Sequence, residues 1–349
     1  MSSESSIAKP DFEPGEVVAG WTVITKLGSG GFGAVYHVRK GEIEAALKTE
    51  FISEKGKSQP LCNEVRCLRL VQWSPYFCHL HHACKLRIDD KEMNVMVMSL
   101  CGRPLSRLRR MTPKRHFTKA TAARLSKEVL KAVRDLHSVG IIHRDVKGSN
   151  CAWVENTRSV YMFDFGFCRR YLERDEAGVV KHRQARWHAG FLGTTKYCSI
   201  NAHEEKDQGR RDDLWAWLYM TAEFFIGSLP WSQEDQTLLV GRRKVEVGAG
   251  LMRKCPREMM PVYDHIKSLQ FSSKPDYDFI LRKLDQMFLR LDIRDSDPLD
   301  FEVGGHYYEE YFVDKQSSTE KEMSKKSTSL ETCKELTPNT GVEAKPTNR

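Results

Sequence analysis

The sequence predicts a two-lobed α+β fold, because its hydrophobic pattern changes period once, near residue 101. Before that point apolar residues alternate or form short β-rich runs, and after it they recur at helical spacing. The third observation is scale: 349 residues, 40% hydrophobic and 10% aromatic, suffice for one large domain with a substantial core. The expected body covers 18–313, with a β-rich lobe over about 18–98, a hinge over 99–102 and a helical lobe over 103–313. Residues 1–17 and the Ser/Thr/Lys/Glu-rich stretch 314–349 are expected to be disordered. The tail holds too few large aliphatics to offset its ordering entropy.

Residues 21–27 alternate, a glycine cluster interrupts, and 34–39 resume the pattern, which reads as a hairpin with glycines at its tip. A strand over 44–51 and a buried one over 94–100 flank a helix over 62–70, where Val65, Leu68 and Leu70 fall at helical spacing. Residues 118–138 place Leu125, Val129, Ala132, Val133 and Leu136 on one stripe, with Gly140 as the stop. The span 213–227 is apolar nearly all round and predicts a helix buried within its lobe.

Charge and cysteine usage narrow the class. The net charge is +8; residues 1–17 carry −3 and 314–349 carry +1, leaving about +10 on the body. That suits a polyanion-facing groove, while no basic arm or aromatic–basic interleaving points to nucleic acid. Arg103, Arg107, Arg109, Arg110, Lys114, Arg115 and Lys119 form the densest basic run, with no acid among them. It reads either as a solvated loop and helix end or as a docking surface for an acidic partner. The start, MSSESSIAKPDFEPG, has no signal-peptide pattern, so a cytoplasmic or nuclear address is expected, and with it free thiols at the ten cysteines. The longest apolar stretch, 214–226, is interrupted by Thr221 and Glu223 and is too short to span a membrane. Cys78, His79, His81, His82 and Cys84 crowd together, but their spacing fits no zinc pattern, and a strand plus turn is expected. A monomer is expected.

Four motifs carry chemistry. Leu27, Gly28, Ser29, Gly30, Gly31, Phe32, Gly33 and Val35 make a glycine loop, whose residues 28, 30 and 33 let backbone N–H groups approach phosphate oxygens. A dinucleotide site would open a helix there, whereas 35–38 continue as a strand. Lys48, two residues after Ala46, follows at the distance needed to reach α and β phosphates. Glu64 on the next helix is its natural partner, and Glu54, in a polar stretch outside that helix, is the competing acid. In the run 143–150, Asp145 can accept a hydroxyl proton, Lys147 can neutralise charge on a transferring phosphoryl group, and Asn150 can offer an oxygen to a metal. Asp164, in Asp164-Phe165-Gly166, is the second metal ligand, and hard oxygen ligands of this kind choose magnesium. Ala152 is the expected floor under an adenine, with Met98 and Leu100 lining the hinge side. The four motifs in this order imply phosphoryl transfer from ATP.

From about Gly20 to about Phe301 the chain resembles the casein kinase I superfamily, and within it most the tau-tubulin kinase group. The resemblance rests on 193–203 (GTTKYCSINAH), 209–215 (GRRDDLW), 227–231 (GSLPW), 264–269 (DHIKSL) and 274–277 (KPDY). Cys101 to Leu105 with Arg109 and Arg110 is similar to the tau-tubulin branch. The resemblance implies the protein kinase fold and transfer to serine or threonine of protein substrates, with Lys147 and Thr194 bracketing the hydroxyl. It implies a bracing role for Asp213. Lys196 stands where many relatives carry an Arg that binds an anion beside the substrate. Losing the bidentate fork implies a weaker preference for acidic or pre-phosphorylated substrates. Three features depart from the family. Gly148 replaces a proline, which predicts a more mobile loop unless packing holds it. Phe167-Cys168 replaces Leu-Ala, with Cys168 either a quiet buried thiol or redox-sensitive. Glu204 and Glu205 stand where basic or neutral residues are frequent. No unambiguous phosphoacceptor lies in 164–199, so activity without phosphorylation of that segment is expected. The leading reading is an ATP- and magnesium-dependent serine/threonine protein kinase; the second is a weakly active kinase-like scaffold for an acidic partner.

Overall fold

The computed structural model describes residues 11–29, 33–52, 59–88 and 91–313. Six antiparallel strands build the first lobe: β1 (Val17–Val18), β2 (Trp21–Ser29), β3 (Ala34–Lys40), β4 (Ile43–Phe51), β5 (Leu80–Ile88) and β6 (Lys91–Ser99). Their order is β1-β2-β3-β4-β6-β5, with helix α1 (Pro60–Leu70) inserted between β4 and β5. Alternation gives the sheet two faces. Val23, Tyr36, Val38, Leu47 and Val95 form a small core on one side, while Ala46, Met96 and Met98 join Leu68 of α1 and the core of the second lobe. The stretch 78–84 leads into β5, the strand-plus-turn that its spacing suggests.

The ordered body begins earlier than residue 18. Phe12 packs edge-on against Tyr36, Gly15 N–H donates to Val23 O at 2.9 Å, and Val17 pairs with Thr22. The acids of this segment mask one aromatic that covers the sheet. At the glycine tip, a Cβ on Gly33 would lie 1.7 Å from Thr49 O, so β3 can start this close to β4 only with glycine there. Gly30, Gly31 and Phe32, like Glu54 and the tail, lie outside the described residues.

The second lobe holds α2 (Leu105–Met111), α3 (Lys119–Ser138) and β7 (Ile141–Ile142), then the hairpin β8 (Cys151–Val154) and β9 (Ser159–Met162). Short strands β10 (Arg169–Arg170), β11 (Leu172–Arg174) and β12 (Val180–His182) follow. Helices α4 (Ile200–His203), α5 (Arg210–Ile226), α6 (Thr237–Val247), α7 (Met259–Ser268) and α8 (Tyr277–Arg290) complete it. As its sequence predicts, α5 is buried on every side; Trp217 fills the centre and donates its indole N–H to Ser126 O on α3 at 2.9 Å. Among the described residues no helix is long and apolar enough to cross a membrane.

The thiols depart from expectation. Cys67 on α1 and Cys168, 101 residues apart in sequence, are joined by a disulfide, where free thiols were predicted throughout. Sequence spacing could not show this, because packing of α1 on the segment after Asp164 is what brings them together.

One carboxylate ties the end of the domain to its centre. Asp300 is buried and accepts from Thr118 N–H at 2.7 Å and Thr118 Oγ1 at 2.6 Å, and its own N–H donates to Thr121 Oγ1 at 2.9 Å. These bonds secure the N-terminus of α3. Asp300→Ala is expected to cost about 1–3 kcal/mol in urea unfolding, by leaving the part-buried Thr118 donors unmatched. The exposed neighbour change Asp295→Ala should stay within about 0.5 kcal/mol.

Candidate active site

Lys48 sits on β4 opposite Val35, and its ammonium meets Glu64 Oε2 at 2.7 Å and Asp164 Oδ1 at 3.3 Å. Helix α1 is placed for this by its first turn: Pro60 starts it, and the buried Glu50 carboxylate accepts the free Leu61 N–H at 3.2 Å. Burial by itself would lower the pKa of Lys48, but Glu64 and Asp164 together outweigh it and hold the ammonium above its ordinary range. For Asp164 burial acts upward, yet Lys48 and His143 outweigh it, so its carboxyl stays below the usual value and ionised. A cavity of about 290 Å³ opens among Gly33, Val35, Lys48, Glu64, Asp164 and Phe167. A larger hollow of about 660 Å³ lies in the second lobe, beside Arg134, Tyr171 and Tyr277. The Lys48 ion pairs to Glu64 and Asp164, more than volume, single out the first.

Across the cleft stands the loop 143–150. Asp145 Oδ2 is 2.6 Å from Lys147 Nζ, and Asp145 Oδ1 accepts from Thr194 Oγ1 at 2.6 Å and Thr194 N–H at 3.1 Å. Lys147 also donates to Thr194 Oγ1 at 2.8 Å. Asn150 spends its amide N–H on Asp145 O at 3.0 Å, which leaves its oxygen as the acceptor, and its backbone oxygen holds Phe163 N–H beside Asp164 at 3.0 Å. One carboxylate and one amide oxygen are a donor set that fits magnesium. Gly148 is not a loose point: a Cβ there would stand 3.2 Å from Ser106 N, so α2 packs directly on the loop and holds it.

Asp213, buried at the start of α5, braces this loop through His143 N–H at 2.6 Å and Arg144 N–H at 2.7 Å. Of the predicted adenine-side residues, Ala46, Met98, Leu100, Ala152 and Leu27 are not among those lining the cavity. Ala46 pairs with Met98 across β4 and β6, Leu100 packs against the core, Leu27 is exposed on β2, and Ala152 is buried beside Pro104.

The loop 193–199, expected on the substrate side, is tied into charge pairs that the sequence did not reveal. Lys196 turns onto the buried Glu223 carboxylate, which also accepts from Tyr197 Oη at 2.7 Å and pairs with Arg109 at 3.1 Å. Arg109 therefore leaves the basic surface assigned to it, while Arg107 and Arg110 stay exposed. The signal was Glu223 itself, an acid inside the apolar stretch 214–226 of α5, which needs a cation partner. Lys244 of α6 gave no signal, since the run 242–244 (RRK) reads as solvated. It is buried, and it donates to Thr195 O at 2.7 Å, Cys198 O at 2.6 Å and His203 Nε2 at 3.0 Å. Among the described residues no carboxylate pairs with it, and burial pulls its pKa down to about 8.

Residues 21–287 match the family described as the protein kinase domain. A probable serine/threonine-protein kinase of Dictyostelium discoideum is 34% identical over 299 residues, which are 84% of this chain and 58% of that protein. The chain thus spans less than two thirds of that relative's length. The serine/threonine-protein kinase spe-6 of Caenorhabditis elegans is 30% identical over 81% of the chain and 75% of its own length. A probable casein kinase I homolog of Encephalitozoon cuniculi is 28% identical over 77% and 85%.

Lys244 makes a pH test possible. The folded chain releases this proton near pH 8, whereas the unfolded chain keeps it until about 10.5, so the cost of burying the charge is fully present below pH 8. That cost is relieved as pH rises between those values. Relative to Lys244→Met, the native protein should gain about 1–2 kcal/mol of unfolding free energy from pH 8 to 9.5, read by denaturant titration.

Proposed function

The chain belongs to the protein kinase domain family, and from that premise we propose that it transfers the γ-phosphoryl group of ATP to serine and threonine hydroxyls of proteins. The observation that carries this reading is the pairing of Asp145 with Lys147 and Thr194, across the cleft from Lys48, Glu64 and Asp164. Lys48, aimed by Glu64, binds the non-transferred phosphates. Asp145 orients the incoming hydroxyl and takes its proton as the new P–O bond forms. Lys147, already at Asp145, offsets charge gathering on the phosphoryl oxygens. Thr194 fixes the Asp145 carboxylate and brings the substrate loop against it. Asn150 and Asp164 would hold magnesium, which neutralises phosphate charge when bound.

The finer kinship with the tau-tubulin kinases is part of this proposal and rests on Cys101 to Leu105 with Arg109 and Arg110. Substrate choice follows from Lys196. Its ammonium is committed to Glu223, so the loop offers little attraction for an upstream phosphate or carboxylate. The scaffold reading loses two of its supports, because α2 holds Gly148 in place and Arg109 points inward.

Two measurements test this. Asp145→Asn should lower kcat for a serine peptide with magnesium-ATP by about 10²–10⁴-fold at little change in ATP-analogue affinity; equal rates, or labelling confined to tyrosine, would sink the proposal. Peptides with and without a phosphoserine upstream of the acceptor should differ by less than about threefold in kcat/KM, under about 0.7 kcal/mol.

A further inference from the structure

We propose that Cys67 and Cys168 are a redox modification site, whose disulfide clasps α1 to the segment after Asp164 and thereby holds the Lys48–Glu64 pair together. Cys67 lies three residues past Glu64, on the same side of α1, and Cys168 lies two residues past Gly166. Asn63, one turn before Cys67, reinforces the contact: its amide donates to Cys168 O at 3.0 Å, to Cys168 Sγ at 3.3 Å and to Phe165 O at 3.4 Å. Besides these bonds, Glu64 of α1 accepts a backbone hydrogen bond from Phe165, and Leu68 and Phe165 belong to the same buried core. A covalent link there fixes the position of the helix that carries Glu64, and its loss frees the helix to move away from Lys48.

The chemistry requires an oxidant of the hydroperoxide class. Cys168 Sγ, as a thiolate facing the Asn63 amide, attacks one peroxide oxygen; the O–O bond breaks and the other oxygen leaves as an alcohol or water after taking a proton. The sulfenic acid so formed is attacked by Cys67 Sγ. The S–S bond forms, and hydroxide departs with the Cys67 proton as water. The two sulfurs together lose the two electrons that reduce the peroxide, and a dithiol reverses the change. Both side chains are 4% exposed. The cavity described above is lined by Glu64, three residues before Cys67, and by Phe167, one before Cys168, while neither cysteine lines it, so peroxide reaches the sulfurs through local opening of α1.

The inference rests on the nucleotide-binding part of the proposed function, so its test reads nucleotide affinity separately from transfer. The full chain is treated with hydrogen peroxide or with dithiothreitol. Free thiols are alkylated, linked peptides are identified by mass spectrometry, and a non-hydrolysable ATP analogue is titrated calorimetrically. The expected result is a Cys67–Cys168 linked peptide after peroxide only, and an affinity about threefold or more tighter in that state. Cys168→Ser and, separately, Cys67→Ser should show the reduced-state affinity under both treatments. Cys101→Ser, which breaks up the neighbouring pair Cys78–Cys101 (3.2 Å between sulfurs), should keep the response. Alkylation of both Cys67 and Cys168 after peroxide would overturn the site. A link that leaves the affinity unchanged, or a response abolished by Cys101→Ser, would overturn the clasp. An intact affinity response without peptide phosphorylation would support the clasp and defeat the transfer reading instead.

Discussion

The buried carboxylate of Asp213 is the constraint on which the site depends. It accepts two consecutive backbone N–H groups, from His143 and Arg144, and a third bond from His137 Nε2 at 2.8 Å. Arg144 has φ +68°, a left-handed conformation that costs a non-glycine residue roughly 1–2 kcal/mol. It persists because the same turn that strains the backbone delivers both N–H groups to one charged acceptor. Burial acts to raise the pKa of Asp213, but its bonds to His137 and His143 prevail and keep it low, so the acceptor remains a carboxylate. The loop carrying Asp145 and Asn150 thus hangs from a helix that is buried within its lobe. That is how side chains in an irregular segment acquire the positional accuracy of a helix.

What was legible in the sequence is what chain-local spacing encodes. The glycine tip, Lys48, the loop 143–150 and Asp164 each lie in short runs whose residue types have few other uses together. Helix α5 was legible because an apolar surface on every side has one stable location. Residues whose role depends on a partner far along the chain were not legible. Lys244 meets Thr195 and Cys198 nearly 50 residues back, and Cys67 meets Cys168 across 101 residues. Which branch of the Gly148 expectation holds was not legible for a related reason. Without its neighbours a glycine signals backbone freedom, whereas here its missing side chain lets Ser106 approach. Phe12, in an acidic leader, shows the reverse error: composition argued for disorder where a single ring found Tyr36.

Glu223 changes how the basic residues are to be understood. Three elements meet on it: Arg109 from α2, Lys196 and Tyr197 from the substrate loop, and α5 itself. A buried acid with two cations is not a cheap source of stability, because desolvation consumes most of the Coulomb gain. What it supplies is registry. Arg109 also bonds Gly227 O at 2.6 Å, so α2, which packs on Gly148, is tied to the same helix that braces Arg144. The catalytic loop is therefore held from two sides by α5, directly through Asp213 and indirectly through Glu223 and α2.

This arrangement separates two tasks that a single basic run seemed to combine. The inward cations, Arg109, Lys196 and Lys244, shape the loop on which a substrate would rest, and each is engaged by a protein acceptor. The outward ones, Arg107 and Arg110, stay in solvent, where their fields reach a partner but are screened within about 8–10 Å at physiological salt. Selectivity for an acidic protein, if carried by this face, would thus act on encounter and depend on salt. Selectivity at the phosphorylated residue would depend on shape beside Thr194 and Asp145. The two can change independently, since reversing Arg107 or Arg110 disturbs no contact that holds the catalytic loop, whereas removing Glu223 would leave two cations facing a buried vacancy.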